Sequence, residues 1–361
     1  MKIVFCIDSF ADGGAARVVS SVSRELYKRG EQVYIATNTI HRKISYDIEE
    51  GISFCPLYSE KHYRCPSVFR IWLLVRNARR IMKQVKPDVV VGVHPIMFVV
   101  CWLSSWGLSI PIIASDHTSF ARRLPWYMTF IRFHLYCYAQ AVTILSQADA
   151  DFLDRRLPKK KVLPNPLSYP IFKGNSVRRK NILAVGRLNV WKVKGFDLLI
   201  EAWGKIAADY PDWQLEIAGT GDEQKAEELR QLAIKYKVAE SVKLLGYCSN
   251  LKKLMQETSI FVLSSRVEGF GLVLLEAMSQ GCACISFDDQ GRQGEIMTHN
   301  QSGILLPGMS VEQLAVAMRQ LIGNEDLRKR LSEEAKTEAE RFSVQKIVDR
   351  WEELFANVIK T

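Results

Sequence analysis

Short apolar runs recur along the whole chain, each followed by a stretch of helical period, and this alternation is the tightest constraint on the fold. In the first half the runs are KIVFCI (2–7), VYIAT (33–37), DVVVGV (88–93), PIIASDH (111–117) and AVTILS (141–146), with a helix expected from about Ala15 to Arg29. A second series starts at ILAVGR (182–187) and continues through QLEIAG (214–219), VKLLG (242–246), IFVLSS (260–265), ACISF (283–287) and GILLP (303–307). Helices are expected there from Asp197 to Ala208 and from Asp222 to Lys237. Runs that are apolar over their full length suit strands buried on both faces. Strands alternating with helices of this length predict βαβ units in parallel, doubly wound sheets. The chain reads as α/β, with two Rossmann-like halves in succession.

The joint falls where prolines and charge interrupt both patterns, at LPNPL (163–167) and the polar run from Lys173 to Lys180. The expected domains are 1–172 and 173–344, followed by an amphipathic helix at 345–361. A length of 361 residues accommodates two such cores. The first run meets an acid at Asp8 and a glycine pair at Gly13-Gly14, so it reads as a core strand rather than a secretory signal. No apolar run is long enough to span a bilayer. Cysteines stand at 6, 55, 65, 101, 137, 248, 282 and 284 without a C-x-x-C pair, which points to buried reduced thiols rather than zinc or disulfides, and to a cytoplasmic setting.

One run carries more chemistry than the rest: Glu268-Gly269-Phe270-Gly271, then LVLL, then Glu276. It follows a predicted strand and leads into a helix that ends at Gly281. A glycine loop opening a helix gathers free backbone N–H groups and the positive helix end at one point, which suits a diphosphate. Glu268 then sits on the loop and Glu276 in the helix, where both can serve one ligand with hydroxyls at each end.

The string SSRVEGFGLVLLEAMSQGCACI (264–285) resembles the donor-binding segment of the family 4 retaining glycosyltransferases, which have the GT-B fold of two Rossmann-like domains facing across a cleft. The resemblance implies that Glu268 lies by the donor sugar, that amides at Phe270, Gly271 and Leu272 hold sugar and diphosphate, and that Glu276 bonds the nucleotide ribose. It also implies an acceptor-binding first domain, a nucleotide-sugar-binding second domain, and a final helix that returns to the first.

Other pieces fit the same pattern. Gly186-Arg187 closes a strand, and Lys192 and Lys194 precede GFDLLI (195–200); the family places an arginine and a lysine here on the donor diphosphate. Arg187 matches directly, Lys194 by adjacency to the glycine and Lys192 by its distance from the arginine. The loop after the first strand, Asp12 to Arg17, contains Gly14, where the backbone can approach a phosphate. The family's acid in this loop is replaced by Ala16. His117, after PIIAS, matches a family histidine that contacts the donor sugar and is the second catalytic candidate, with Asp116 in the place of the family's acid. Tyr247, after the strand ending at Gly246, falls where the family holds the nucleobase.

No Asp-x-Asp stands on a loop, and nothing near Asp288-Asp289 completes a metal site. Fixed cations and helix dipoles are expected to replace a divalent ion, with no cofactor beyond the substrate, a nucleotide sugar read as UDP-linked. The net charge of +10 lies wholly in the first half: residues 1–172 hold 23 Lys and Arg against 13 Asp and Glu, while 173–361 hold 26 of each. A basic half implies an anionic partner. Segments 67–86 and 119–138 mix Arg with Trp, Tyr and Phe, as a surface resting on an anionic membrane would. The resemblance adds a glycan or polyprenyl-diphosphate-linked acceptor on the inner face of the cell membrane; no nucleic-acid module is present. A nucleotide-sugar epimerase and an inactive glycan- or nucleotide-binding relative are the alternatives.

Overall fold

The computed structural model describes residues 1–10, 13–38, 48–58, 67–120, 122–153, 156–157, 159–174 and 176–360. Asp12 and Cys65 lie outside them. Two compact units share the chain: Met1–Ser168 with Phe342–Thr361, and Tyr169–Arg341.

Unit 1 holds β1 (Lys2–Ile7), α1 (Gly14–Lys28), β2 (Gln32–Thr37), β3 (Ser53–Pro56), α2 (Ser67–Val85), β4 (Val89–Val93) and α3 (Pro95–Ser105), then β5 (Ile112–Ser115), α4 (Trp126–Phe130), β6 (Ala141–Ile144), α5 (Gln147–Leu153) and β7 (Lys160–Val162). The strands form one parallel sheet in the order β3-β2-β1-β4-β5-β6-β7. Side chains alternate across each strand. Val4 and Cys6 join the core under α2 and α3, while Phe5 turns to the other face and meets Trp351 edge-on at 6.1 Å.

Unit 2 holds β8 (Arg179–Val185), α6 (Phe196–Gly204), β9 (Gln214–Ala218), α7 (Glu223–Lys235), β10 (Val242–Gly246) and α8 (Leu251–Glu257), then β11 (Thr258–Leu263), α9 (Leu272–Ser279), β12 (Ala283–Phe287), β13 (Ile304–Leu306), α10 (Val311–Gly323) and α11 (Glu325–Ala339). Its sheet is again wholly parallel, in the order β10-β9-β8-β11-β12-β13. Ile182, Ala184, Ile260 and Val262 share a core with Leu199 and Trp203 of α6 and Leu314 and Met318 of α10. Leu183 and Phe261 alternate to the opposite face, where α9 packs on β11 and β12.

The chain returns to unit 1 through α12 (Val344–Ile359), which lies against α1. Arg29, at the end of α1, reaches Asp349 and Glu352 of α12 at 2.6 and 2.7 Å. Two strands absent from the sequence reading, β3 and β7, both sit at edges of the unit 1 sheet. The cysteines are not uniformly buried: Cys6, Cys101, Cys282 and Cys284 are, Cys55 and Cys248 are half-buried, and Cys137 is exposed, all seven being free thiols.

Strand order reverses between β1 and β4 in unit 1 and between β8 and β11 in unit 2. Connections leave in opposite directions at such a point, so the strand C-terminal ends there open a crevice that helices do not fill.

Candidate active site

In unit 2 the crevice is bounded by the loop after β8, which carries Arg187, Lys192 and Lys194, and the loop after β11, which carries Glu268. The two are locked together by backbone. The Arg266 N–H donates to the Val193 carbonyl at 2.8 Å, Ser264 Oγ donates to the Lys194 carbonyl at 2.9 Å, and Arg266 forks onto Asp197 of α6 with two bonds of 2.7 Å. Only glycine can stand at 195: φ is +65°, and a Cβ would lie 1.8 Å from the Ser264 carbonyl oxygen.

This close approach aims the two lysines differently. Lys194 Nζ meets Glu268 Oε1 at 2.7 Å, the two side chains being 20% and 13% exposed. Lys192 lies over the Trp191 ring with Nζ 5.2 Å from the centroid. Arg187 is exposed and makes no side-chain hydrogen bond or ion pair among the described residues. The structure thus brings Lys194 and Glu268 together and leaves Lys192 and Arg187 outward at the same sheet end.

The Glu268 loop runs into α9 through Gly271, whose φ of +93° is the left-handed conformation that starts the helix. The Leu274 and Leu275 amides turn back on the Gly271 carbonyl at 2.9 and 3.2 Å. Those of Leu272 and Val273, the first two of the helix, have no acceptor among the described residues, so partial positive charge and free donors coincide beside Lys194 and Glu268. Phe270 is 3% exposed and packs inward, so only its backbone is available to a ligand. Glu276, in the second turn of α9, is 1% exposed. Tyr247 is 71% exposed and follows the edge strand β10, separated from β8 by β9. Two interstrand spacings of about 4.8 Å each put it roughly 10 Å from the β8 end.

Gly14 and His117 belong to unit 1. Gly14 opens α1 and is exposed. His117 follows β5, its Nε2 3.2 Å from Ser115 Oγ, while its Nδ1, on the ring that Asn165 approaches, makes no well-formed hydrogen bond among the described residues. Burial, and then the neighbouring His94 ring, push its pKa down to about 4 against the pull of Asp116, so the ring is neutral at physiological pH. His94 was not among the sequence candidates. It follows β4 with φ +73°, its ring stands edge-on to His117 at 5.8 Å, and burial lowers its pKa as well.

Asp116 is consumed structurally. Its carboxylate accepts from Arg132 Nε and Nη2, each at 2.7 Å, and from the Tyr136 hydroxyl at 2.9 Å. Arg132, read from sequence as one cation of a membrane-facing segment, is 2% exposed. It lies in a π-helical turn, Ile131–Leu135, that continues α4. The other missed residue is Asp289 of the loop after β12, whose Oδ2 accepts the Glu268 N–H at 3.1 Å. The sequence marked it only as an incomplete metal site. Among the described residues no cluster of three or more His, Cys, Asp or Glu could hold a metal ion, and no helix is long and apolar enough to cross a membrane.

Residues 171–338 match the family described as Glycosyl transferases group 1, and residues 12–168 match Glycosyltransferase Family 4. An uncharacterized glycosyltransferase of Haemophilus influenzae is 26% identical over 359 residues, covering 97% of this chain and 98% of its own. An alpha-1,4-N-acetyl-D-galactosaminyltransferase of Campylobacter jejuni, named for a GalNAc- and diNAcBac-PP-undecaprenol substrate, is 26% identical over 370 residues, 99% of each chain. Among solved structures, HepE of Anabaena in complex with UDP superposes with a TM-score of 0.81 at 19% identity over 99% of this chain and 100% of that one. Sucrose-phosphate synthase of Thermosynechococcus elongatus reaches 0.84 at 17% identity over 99% of both. With its two halves matched in turn, the chain belongs to the family 4 and group 1 glycosyltransferases and is a glycosyltransferase of the GT-B fold.

Proposed function

We propose that the enzyme is a retaining, metal-independent transferase that moves a hexosyl or N-acetylhexosaminyl group from a UDP-sugar to a glycan carried on a lipid diphosphate. The observation that carries this reading is the Lys194–Glu268 pair beside the open amides of Leu272 and Val273, at the point where the unit 2 strand order reverses. A sugar nucleotide is anionic at its diphosphate and becomes cationic at the anomeric carbon as the bond breaks. Arg187, Lys194, the amides at Gly271 and Leu272 and the α9 dipole match the first charge, with Lys192 in reserve at the rim. The Glu268 carboxylate matches the second. Departing diphosphate oxygen accepts the proton of the incoming hydroxyl on the face it leaves from, so retention needs no protein nucleophile. Phe270 and Gly271 contribute backbone to the sugar, Glu276 takes the ribose hydroxyls, and Tyr247 offers a face to the base.

Unit 1 takes the acceptor. Gly14, at the open start of α1, is read as a contact for the donor diphosphate, and the neutral His117 ring gives a hydroxyl of the donor sugar a partner that neither attracts nor repels charge. The relatives' names supply the substrate lean: undecaprenyl-diphosphate-linked glycans and N-acetylgalactosamine in Campylobacter, and UDP in the HepE complex. Exposed Trp106, Trp126 and Phe130 with Arg122 and Arg123 on unit 1 suit the cytoplasmic face of an anionic membrane, where such an acceptor resides. Co-flotation with anionic but not zwitterionic vesicles, weakened by Trp126→Ser, is the expected result.

The test of the whole reading is incubation with UDP-N-acetylgalactosamine, UDP-N-acetylglucosamine, UDP-galactose or UDP-glucose and an undecaprenyl-diphosphate-linked glycan, in EDTA. Acceptor-dependent UDP release with an α-linked product is expected. A β-linked product, an epimerised donor without acceptor, or activity restored only by magnesium would each overturn it.

A further inference from the structure

The loop after β12 takes no part in the contacts proposed above, yet it is organised around buried charge. Asp289 is 7% exposed and Arg292 1%, with Arg292 Nη1 3.5 Å from Asp289 Oδ2. Gln290 and Gly291 turn the chain with φ of 56° and 87°. The Asp288 carboxylate accepts the Gln293 N–H at 3.2 Å. Gln293, fully buried, accepts the Asp289 N–H through Oε1 at 2.7 Å, which commits its Nε2 to a side where that donor finds no partner among the described residues. A left-handed non-glycine residue, Gln290, a buried ion pair and an unmet donor are each unfavourable. They converge on a carboxylate that accepts the backbone N–H of Glu268 at 3.1 Å. A neutral oxygen would satisfy one amide more cheaply. A charged acceptor is the stronger partner for that amide, and it is held in place by the Arg292 cation while Gln293 holds the Asp289 backbone.

We infer that Asp289 is a positioning residue for Glu268. Glu268 is then held from two sides, its amide by Asp289 and its carboxylate by Lys194 at 2.7 Å, and the bracket stops the loop from turning the carboxylate away from the anomeric carbon. The inference rests on the proposed role of Glu268. It assigns no ligand contact to Asp289, so nucleotide binding and turnover should separate.

The experiment compares Asp289→Ala, Asp289→Asn and Gln293→Met with the wild type by kcat and KM for UDP release from UDP-N-acetylgalactosamine, and by the calorimetric Kd for UDP. Asp289→Ala should lower kcat about 10- to 100-fold, the loss typical of a misplaced reacting group, with the UDP Kd within about twofold. Asp289→Asn, which keeps the acceptor oxygen but not its charge, should fall between alanine and the wild type. Unchanged kcat in Asp289→Ala, an equal fall in UDP affinity, or an asparagine as damaging as alanine would overturn the inference. Should Asp289→Ala fail to fold, Gln293→Met decides, since it frees the Asp289 backbone while leaving the carboxylate: lowered kcat with intact UDP binding supports the inference and unchanged kcat overturns it. Glu268→Gln, assayed in parallel, separates the two claims. An active Glu268→Gln removes the role of Glu268 itself, whereas an inactive Glu268→Gln beside a fully active Asp289→Ala removes only the bracket.

Discussion

At the C-terminal end of the unit 2 sheet the ionic groups stay within reach of a ligand: Arg187 is exposed, and Lys194 and Glu268 face each other half-buried. At the corresponding end of the unit 1 sheet the charge behind β5 is sealed in, with only Asp8 after β1 exposed among the described groups near the histidines. Arg132 and Asp116 are 2% and 1% exposed and neutralise each other with help from Tyr136, and what remains beside them is a pair of histidines that burial keeps neutral. On the proposed reading, unit 2 presents fixed charge to an anion whose charge grows during reaction, while unit 1 spends its buried ion pair on rigidity and offers neutral imidazole groups to a sugar hydroxyl.

The contrast can be broken most sharply at Arg132. Arg132→Leu leaves Asp116 buried without its cation, a change that costs about 3–5 kcal/mol. A large fall in melting temperature is expected, while UDP binding in unit 2, measured on folded protein below the melt, stays intact. A stable Arg132→Leu protein would mean that the unit 1 charges are not sealed as described. Next in size is Glu268→Gln: loss of a charge aimed at the transition state should cut kcat about 10²- to 10³-fold, with little change in melting temperature because the pair it breaks is partly solvated.

Lys194→Ala removes the charge-assisted contact proposed for the diphosphate and should weaken UDP binding about 10- to 100-fold, the equivalent of roughly 1.5–3 kcal/mol. Lys192→Ala, whose cation rests on Trp191, should change it by less than about threefold. Equal losses in the two variants would erase the distinction drawn between the lysines.

A separate effect is in pH. An unfolded histidine titrates near 6.5, whereas His117 in the fold titrates at about 4. Between these values the unfolded chain binds the proton and the folded chain does not, so this contribution is complete above about pH 6.5 and is lost as pH falls towards about 4. Melting temperatures at pH 7 and pH 5 should differ less in His117→Asn than in the wild type. An unchanged slope would place the titration elsewhere.

The strand series was legible because central strands of a parallel sheet are buried on both faces and read as unbroken apolar runs. β3 and β7 were not, for a physical reason: SFCP and KKV are short edge strands with exposed positions, and no two-sided burial writes itself into their sequence. Glu268, Lys194 and Gly271 could be found because a strand, a glycine turn and a helix start are consecutive in the chain. Asp289 reaches Glu268 from 21 residues away and His94 meets His117 across neighbouring strands, so no local pattern announces either. Arg132 misled because it sits among aromatics as a surface cation would. The π turn at Ile131–Leu135 departs from the 3.6-residue period, and a helical projection cannot show that its side chain turns inward.

The central claim is that unit 2 holds the nucleotide by its diphosphate with amides and fixed cations. Calorimetric titration of UDP against uridine in EDTA, on the wild type and on Arg187→Ala, tests it most directly. Tight UDP binding without metal, at least about tenfold weaker uridine binding, and an Arg187→Ala protein that loses affinity for UDP but not for uridine are expected. Equal binding of UDP and uridine, or UDP binding that appears only when magnesium is added, would contradict it.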